Sequence, residues 1–113
     1  MNHFFQLTIV AILVTIVLSS PITGDYSKKE YEDECKQAEN FLSNALKKYV
    51  DEEFVQAYGK ILMDGLHRLN KKTEDAIKNE TDGTKKQEAI NFAYDSCERL
   101  LLFMKDLEDK MKQ

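Results

Sequence analysis

Apolar and small side chains recur along residues 25–113 at intervals of three and four residues. This spacing places them on one face of an α-helix, because the helix repeats every 3.6 residues. In the first stretch they are Tyr31, Cys35, Ala38, Leu42, Ala45 and Tyr49. Ser27, followed three residues later by Glu30, fits a capping box. We therefore predict a first helix that starts after Ser27 and ends near Val50.

A second stretch with the same spacing begins after Asp51, which could cap a helix whose first turn is acidic. Its apolar face is formed by Val55, Tyr58, Leu62, Leu66, Leu69, Thr73 and Ala76. The pattern predicts one long helix over residues 52–79. The alternative is a break near Lys71–Thr73, with Thr73 capping a short extra helix.

The third stretch follows Asn79–Thr84, a segment rich in turn-forming residues around Gly83. Thr84 and Gln87 have the spacing of another capping box. The apolar face then comprises Ile90, Ala93, Cys97, Leu100, Met104, Leu107 and Met111. Three long amphipathic helices joined by short connections predict an all-α, antiparallel bundle, with a fourth helix if the middle one breaks.

The N-terminal segment differs from the rest of the chain. Residues from Leu7 to Leu18 are apolar or threonine, and this run is shorter than the about 20 residues that span a bilayer. Pro21 and Gly24 follow it, and the 16 basic and 20 acidic residues all lie from Asp25 onward. We predict a signal peptide over residues 1–24, cleaved after Gly24. The remaining residues 25–113 would form one secreted domain with no stable membrane anchor.

Both cysteines, Cys35 and Cys97, lie within the predicted secreted domain. The secretory route is oxidising, and a domain of this size gains much from a covalent link between distant segments. Each cysteine occupies the apolar face of its own helix. We predict a Cys35–Cys97 disulfide, the alternatives being two buried thiols or a bridge between two chains.

Several large apolar residues fall outside the predicted core faces. On a helical wheel of about 100° per residue, Phe92 and Phe103 lie side by side on one flank of the third helix and Leu102 lies on the other. Phe41 has the same angle to Cys35 as Phe103 has to Cys97. These four residues are candidates for binding a protein partner. They could instead be covered by another helix, or form the seam of a homodimer.

The sequence gives little indication of catalysis. His67 is the only histidine outside the predicted signal peptide, and no metal-ligand spacing, nucleophile–base pair or phosphate-binding loop is evident. We therefore expect no enzyme activity, no metal and no cofactor. The formal net charge of −4 also argues against nucleic acid as a partner. Asn79-Glu80-Thr81 has the form of an N-glycosylation site.

These features lead to one expected function and one alternative. We expect a secreted, non-enzymatic effector, monomeric or homodimeric, that binds an extracellular protein. Salivary and venom inhibitors and cytokine-like ligands often have this size and build, although fold alone does not define function. The alternative is an extracellular carrier of a small apolar ligand such as a lipid or an odorant, because aromatic and methionine side chains suit such ligands.

Overall fold

Three α-helices form the fold of residues 25–112, which are the residues that the computed structural model describes. They are α1 (Lys28–Lys48), α2 (Glu53–Asn79) and α3 (Gly83–Met111). The predicted signal peptide, residues 1–24, lies outside the described residues. The predicted all-α architecture is confirmed, and residues 25–112 contain no strand.

The middle helix is continuous, as predicted, and the alternative break near Lys71–Thr73 is absent. Thr73 lies inside α2, where its hydroxyl donates a 2.8 Å hydrogen bond to the Leu69 carbonyl oxygen. This bond to the preceding turn satisfies the buried hydroxyl without interrupting the helix. The chain therefore has three helices rather than four in its described part.

One of the three predicted helix caps is confirmed and two are wrong. The Ser27–Glu30 capping box is present, with both reciprocal hydrogen bonds at 3.0 Å. At α3 the cap is Asp82 and not Thr84, because the Asp82 carboxylate accepts hydrogen bonds from the backbone N–H groups of Thr84 and Lys85. The helix therefore begins before Thr84 can serve as its cap.

Asp51 is also not a cap, since α2 starts after Glu52 and no side chain caps it. The connection between α1 and α2 is closed instead by Gln56. Its side-chain amide donates hydrogen bonds to the carbonyl oxygens of Leu46, at 2.8 Å, and Tyr49, at 3.0 Å. The backbone N–H of Glu52 adds a 3.0 Å bond to the same Tyr49 oxygen. These bonds satisfy carbonyl groups at the end of α1, and they hold the turn in one shape.

The interhelical contacts establish the topology. Going along α1, Cys35 bonds to Cys97 and Lys48 pairs with Glu108, so α1 and α3 run parallel. Glu39 of α1 pairs with His67 of α2. Leu46, further along α1, accepts a hydrogen bond from Gln56, which comes before His67 in α2, so α2 runs antiparallel to α1. The result is the predicted up-down-up bundle, with extents of 46 × 26 × 21 Å.

The core lies where the predicted apolar faces meet. Four residues of the α1 pattern are buried, and the two nearest its C-terminus, Ala45 and Tyr49, are half-buried. The buried hydrophobic cluster comprises Tyr31, Cys35, Ala38, Leu42, Leu66, Ala93, Cys97, Leu101 and Met104. Leu101 is the one member of this cluster outside the predicted stripes, and it directly follows Leu100 of the α3 stripe.

The predicted disulfide is present within this core. The Sγ atoms of Cys35 and Cys97 are 2.04 Å apart, the Cα atoms are 4.9 Å apart, and the residues are 2% and 0% exposed. Cys35 lies nearer the start of its helix than Cys97 does. The difference is absorbed by a stagger of the two helices, because the residues just before α1 pack beside Asn91, well inside α3.

We predict that replacing both cysteines, Cys35→Ala with Cys97→Ala, lowers the free energy of unfolding by about 4 kcal/mol. This value follows from the loop entropy released when a cross-link between residues 62 apart in sequence is removed. Urea denaturation followed by circular dichroism measures it. Chemical reduction of the unaltered protein should produce a similar loss. A change below about 1 kcal/mol would show that the link does little to constrain the unfolded chain.

Candidate functional site

An apolar pocket lies at the end of the bundle where α1 ends, α2 begins and α3 ends. We call it the end pocket. It is partly open to solvent, and all three helices contribute to its wall. Its lining consists of Phe41, Leu42, Ala45 and Tyr49 from α1, Phe54, Val55, Tyr58, Gly59 and Leu62 from α2, and Met104, Leu107, Glu108 and Met111 from α3.

Two small residues lie in the wall of the end pocket. Gly59 is buried, and the tip of the Leu46 side chain packs against its backbone in the space that a Cβ atom would need, which brings α1 and α2 close together. Ala45 contributes only a methyl group to the same region. Larger side chains surround these positions, and the space between them remains as a cavity.

Aromatic rings form part of the wall of the end pocket. Phe54 and Tyr58 lie one helical turn apart on α2, and their rings meet edge to face with centroids 5.8 Å apart. This arrangement brings the positive edge of one ring toward the negative face of the other. Phe41, half-buried on α1, packs against the main core as well as lining the pocket. Aromatic side chains lose little conformational entropy when they contact a partner, because they have only two rotatable bonds.

A small charged group stands at the rim of the end pocket. The Glu108 carboxylate lies 3.7 Å from the Lys48 ammonium and 3.5 Å from the Lys112 ammonium. The Lys48 ammonium also lies 5.3 Å from the centroid of the Tyr49 ring. The rim therefore tethers the last turn of α1 to the last turn of α3, next to an otherwise apolar lining.

The size of the end pocket limits what it can enclose. Its volume is about 60 Å³. Sites for drug-sized ligands measure about 300–1,000 Å³, and a cavity that encloses benzene measures about 150 Å³. The end pocket therefore has room for one small aliphatic group, with the rest of any bound molecule lying outside.

The four predicted partner-binding residues do not form a single surface. Phe41 lines the end pocket, and the other three are absent from its lining. Phe92 and Leu102 are 39% and 58% exposed, and Phe103 is half-buried. Since Leu102 lies on the opposite flank of α3 from Phe92 and Phe103, a partner would meet them as separate contacts.

The predicted glycosylation residue, Asn79, is exposed and is the last residue of α2. The end pocket includes residues from the first turns of α2, and α2 has 27 residues. At 1.5 Å per residue, Asn79 and the pocket-lining residues of α2 are therefore about 25–38 Å apart along the helix. A glycan on Asn79 would leave the end pocket accessible.

A polar cluster at the opposite end of the bundle was not predicted from the sequence. The buried Asn91 side chain accepts a 3.0 Å hydrogen bond from the Tyr26 backbone N–H and donates one to the Asp25 carboxylate. Gln87 donates to the Tyr26 carbonyl oxygen at 2.7 Å, and the rings of Tyr26 and Tyr94 stack with centroids 3.7 Å apart. These contacts fasten residues 25–26 to α3.

A group of titratable side chains lies along the seam between α1 and α3. Burial raises the pKa of the Glu34 carboxyl above its ordinary value of 4.5, repulsion from Glu98 raises it further, and attraction to Lys105 lowers it. Burial also raises the pKa of the Tyr94 hydroxyl to about 12, together with repulsion from Glu34 and Glu98 and a hydrogen bond to Glu98. Both groups are half-buried, and both shifts favour the uncharged form.

Residues 25–112 contain no group of three or more His, Cys, Asp or Glu side chains that is placed to hold a metal ion. None of the helices in this part of the chain combines the length and the apolar character that crossing a bilayer requires. Comparisons of the chain with protein-family models, with curated proteins and with solved structures found no match.

We predict that Glu34→Gln raises the melting temperature at pH 7 by a few degrees. A carboxyl whose pKa is raised by folding binds its proton more tightly in the folded chain, so stability falls as pH rises from 4.5 through the raised pKa. Glutamine cannot ionise, so the Glu34→Gln variant avoids this loss of stability above the raised pKa. At pH 3, where Glu34 is protonated, the variant and the unaltered protein should be nearly equally stable. Thermal denaturation at the two pH values tests the prediction, with the exposed Glu88→Gln as control. A lower melting temperature at pH 7 would mean that the Lys105 attraction outweighs burial.

Proposed function

We propose that this chain is a secreted, non-enzymatic effector that binds an extracellular protein and receives one aliphatic side chain of that protein in the end pocket. The observation that carries the proposal is the pairing of an apolar lining with a volume of about 60 Å³. Binding energy in protein interfaces is concentrated in a few anchor residues that fill such pockets. A cavity of this size matches one side chain better than a whole small molecule.

The surroundings of the end pocket support a protein partner. Interfaces typically combine an apolar centre with a polar, solvent-exposed rim. Here the Lys48, Glu108 and Lys112 side chains provide charged groups beside the apolar lining. Tyr49 and Phe54 provide aromatic surface, which is common among residues that dominate binding.

The carrier of a small apolar ligand remains the second candidate, and the composition of the lining favours it. Aromatic residues and two methionines, Met104 and Met111, line the end pocket, and such side chains adapt well to lipids and odorants. The volume argues against this function, since a lipid chain would lie mostly outside the cavity. A carrier would have to widen the pocket by moving the ends of the helices apart.

Secretion is part of the proposal, and the buried disulfide supports it, because structural disulfides persist in oxidising compartments. We expect a eukaryotic host to release into its medium a chain that begins at Asp25 and carries a glycan on Asn79. Intact mass before and after enzymatic deglycosylation tests both expectations, with Thr81→Ala as the variant that cannot be glycosylated. Retention of residues 1–24, or of the protein within the cell, would contradict secretion through a cleaved signal peptide.

We predict that peptides selected from a random linear library on the secreted protein will carry an aliphatic residue and will depend on an open end pocket. Ala45→Leu fills the cavity, and we expect it to weaken these peptides at least about tenfold while keeping or raising the melting temperature. The matched control is Ala57→Leu, which adds the same atoms at an exposed position of α2 outside the pocket.

Two outcomes of this selection would contradict the proposal. Peptides that bind the Ala45→Leu variant as tightly as the unaltered protein would use another surface. A library that yields no binders, together with a melting temperature raised by decanoate in the unaltered protein and not in Ala45→Leu, would support the carrier instead.

A further inference from the structure

The turn between α1 and α2 presents an apolar side chain directly beside the end pocket. Val50 is 63% exposed, the largest value among the exposed large hydrophobic residues of the described chain. Its neighbour Tyr49 lines the end pocket, and so do Phe54 and Val55, but Val50 does not. An exposed aliphatic group therefore stands at the rim of a cavity sized for an aliphatic group.

Hydrogen bonds in the turn keep Val50 outside the end pocket of its own chain. The Gln56 amide bonds to the carbonyl oxygens of Leu46 and Tyr49, and the Glu52 backbone N–H bonds to the Tyr49 oxygen. These bonds fix the backbone on both sides of Val50. Because the turn is already ordered and valine has a stiff, β-branched side chain, little conformational freedom remains to be lost when Val50 is buried by a partner.

From these features we infer that a second copy of this chain covers the end pocket. The two copies are related by a two-fold axis near the turn, and Val50 of each copy enters the end pocket of the other. In such an interface both copies use the same surface patch, so each copy inserts its own Val50 side chain and receives that of the other. The inference does not depend on the proposed function, since the pocket and Val50 both belong to this chain. The end pocket has room for one aliphatic group, so Val50 of the second copy and a side chain of another protein would compete for it.

The charges around Val50 suit a two-fold contact. Lys47 and Lys48 precede it, and Asp51, Glu52 and Glu53 follow it, all of them exposed. In the dimer that we infer, the two-fold axis is perpendicular to the chain at Val50, so that the turns of the two copies run in opposite directions. The basic flank of each copy then faces the acidic flank of its partner, and opposite charges placed this way favour the correct pairing and speed encounter.

The geometry also limits the strength of the dimer. The bundle measures 46 × 26 × 21 Å, so a contact through its end is confined to a face of 26 by 21 Å. A standard stable interface buries about 800 Å² of accessible surface on each partner, and a contact confined to one end of a small bundle lies at the low end of that range. We therefore expect a reversible dimer whose population depends on protein concentration.

Sedimentation velocity of the oxidised, secreted protein over a concentration series tests the inference. We expect monomer at low concentration and dimer at high concentration. Val50→Asp removes the inserted side chain and Ala45→Leu fills the receiving cavity, so each should weaken self-association at least about tenfold. Leu102→Asp, which changes an equally exposed leucine on α3, should dimerise as the unaltered protein does.

Mixing the two variants provides a further check. Val50→Asp keeps an open pocket and Ala45→Leu keeps its valine, so the mixture can form one of the two contacts. We expect a heterodimer that is weaker than the unaltered dimer and stronger than either variant alone.

Three results would overturn the inference. They are a monomer at every concentration, a dimer that persists in Val50→Asp, and a dimer that is lost equally in Leu102→Asp. A monomer that still binds the selected peptides would leave the proposed function standing. A dimer that binds none of them would remove the proposed function and leave this inference intact.

Discussion

The bond between Cys35 and Cys97 fixes the register on which the rest of the structure depends. Two parallel helices cannot be joined by a short turn, so α1 and α3 meet only after the chain has returned through the whole of α2. The covalent bond sets which turn of α1 lies beside which turn of α3. With that register, Tyr26 reaches Asn91 at one end of the bundle and Lys48 reaches Glu108 at the other.

The two ends are held by different kinds of interaction. At the end near Asn91, several directional hydrogen bonds tie residues 25–26 to α3. At the other end, the lining of the pocket is mainly apolar, hydrogen bonds from Gln56 and Glu52 hold the turn beside it, and one small charged group stands at the rim. Hydrogen bonds demand one arrangement of their partners, whereas apolar contacts are non-directional and tolerate small shifts. The lining of the pocket is therefore better suited than the turn beside it to adjust around another side chain.

The core faces could be predicted from the sequence because helical periodicity is a local property. Tyr31, Cys35, Ala38 and Leu42 follow one another at that period, and all four are buried. The end of a helix is harder to predict, because several neighbouring side chains can serve as its cap. Both Thr84 and Asp82 have such side chains, and the backbone is extended at Asp82, which makes Asp82 the cap.

The end pocket could not be predicted in the same way. A helical wheel gives the direction of a side chain relative to its own helix and says nothing about the neighbouring helices. Phe41 falls outside the core arc of α1, yet in the structure it packs against the core and lines a cavity shared by three helices. The hydrogen bond between Asn91 and Tyr26 could not be predicted either, because the two residues lie 65 positions apart in sequence.

The size of the bundle bears on the function that we propose for the end pocket. A bundle of three helices needs its own side chains to fill the space along its axis, since protein interiors are packed as densely as crystals of small molecules. A large internal cavity would remove contacts that such a small core needs. Concavity is less costly at the end of the bundle, where the pocket is partly open to solvent and Ala45 contributes only a methyl group to its wall. A pocket of this kind has room for one side chain, and so the dimensions of the fold favour the proposed recognition of a protein surface over storage of a ligand.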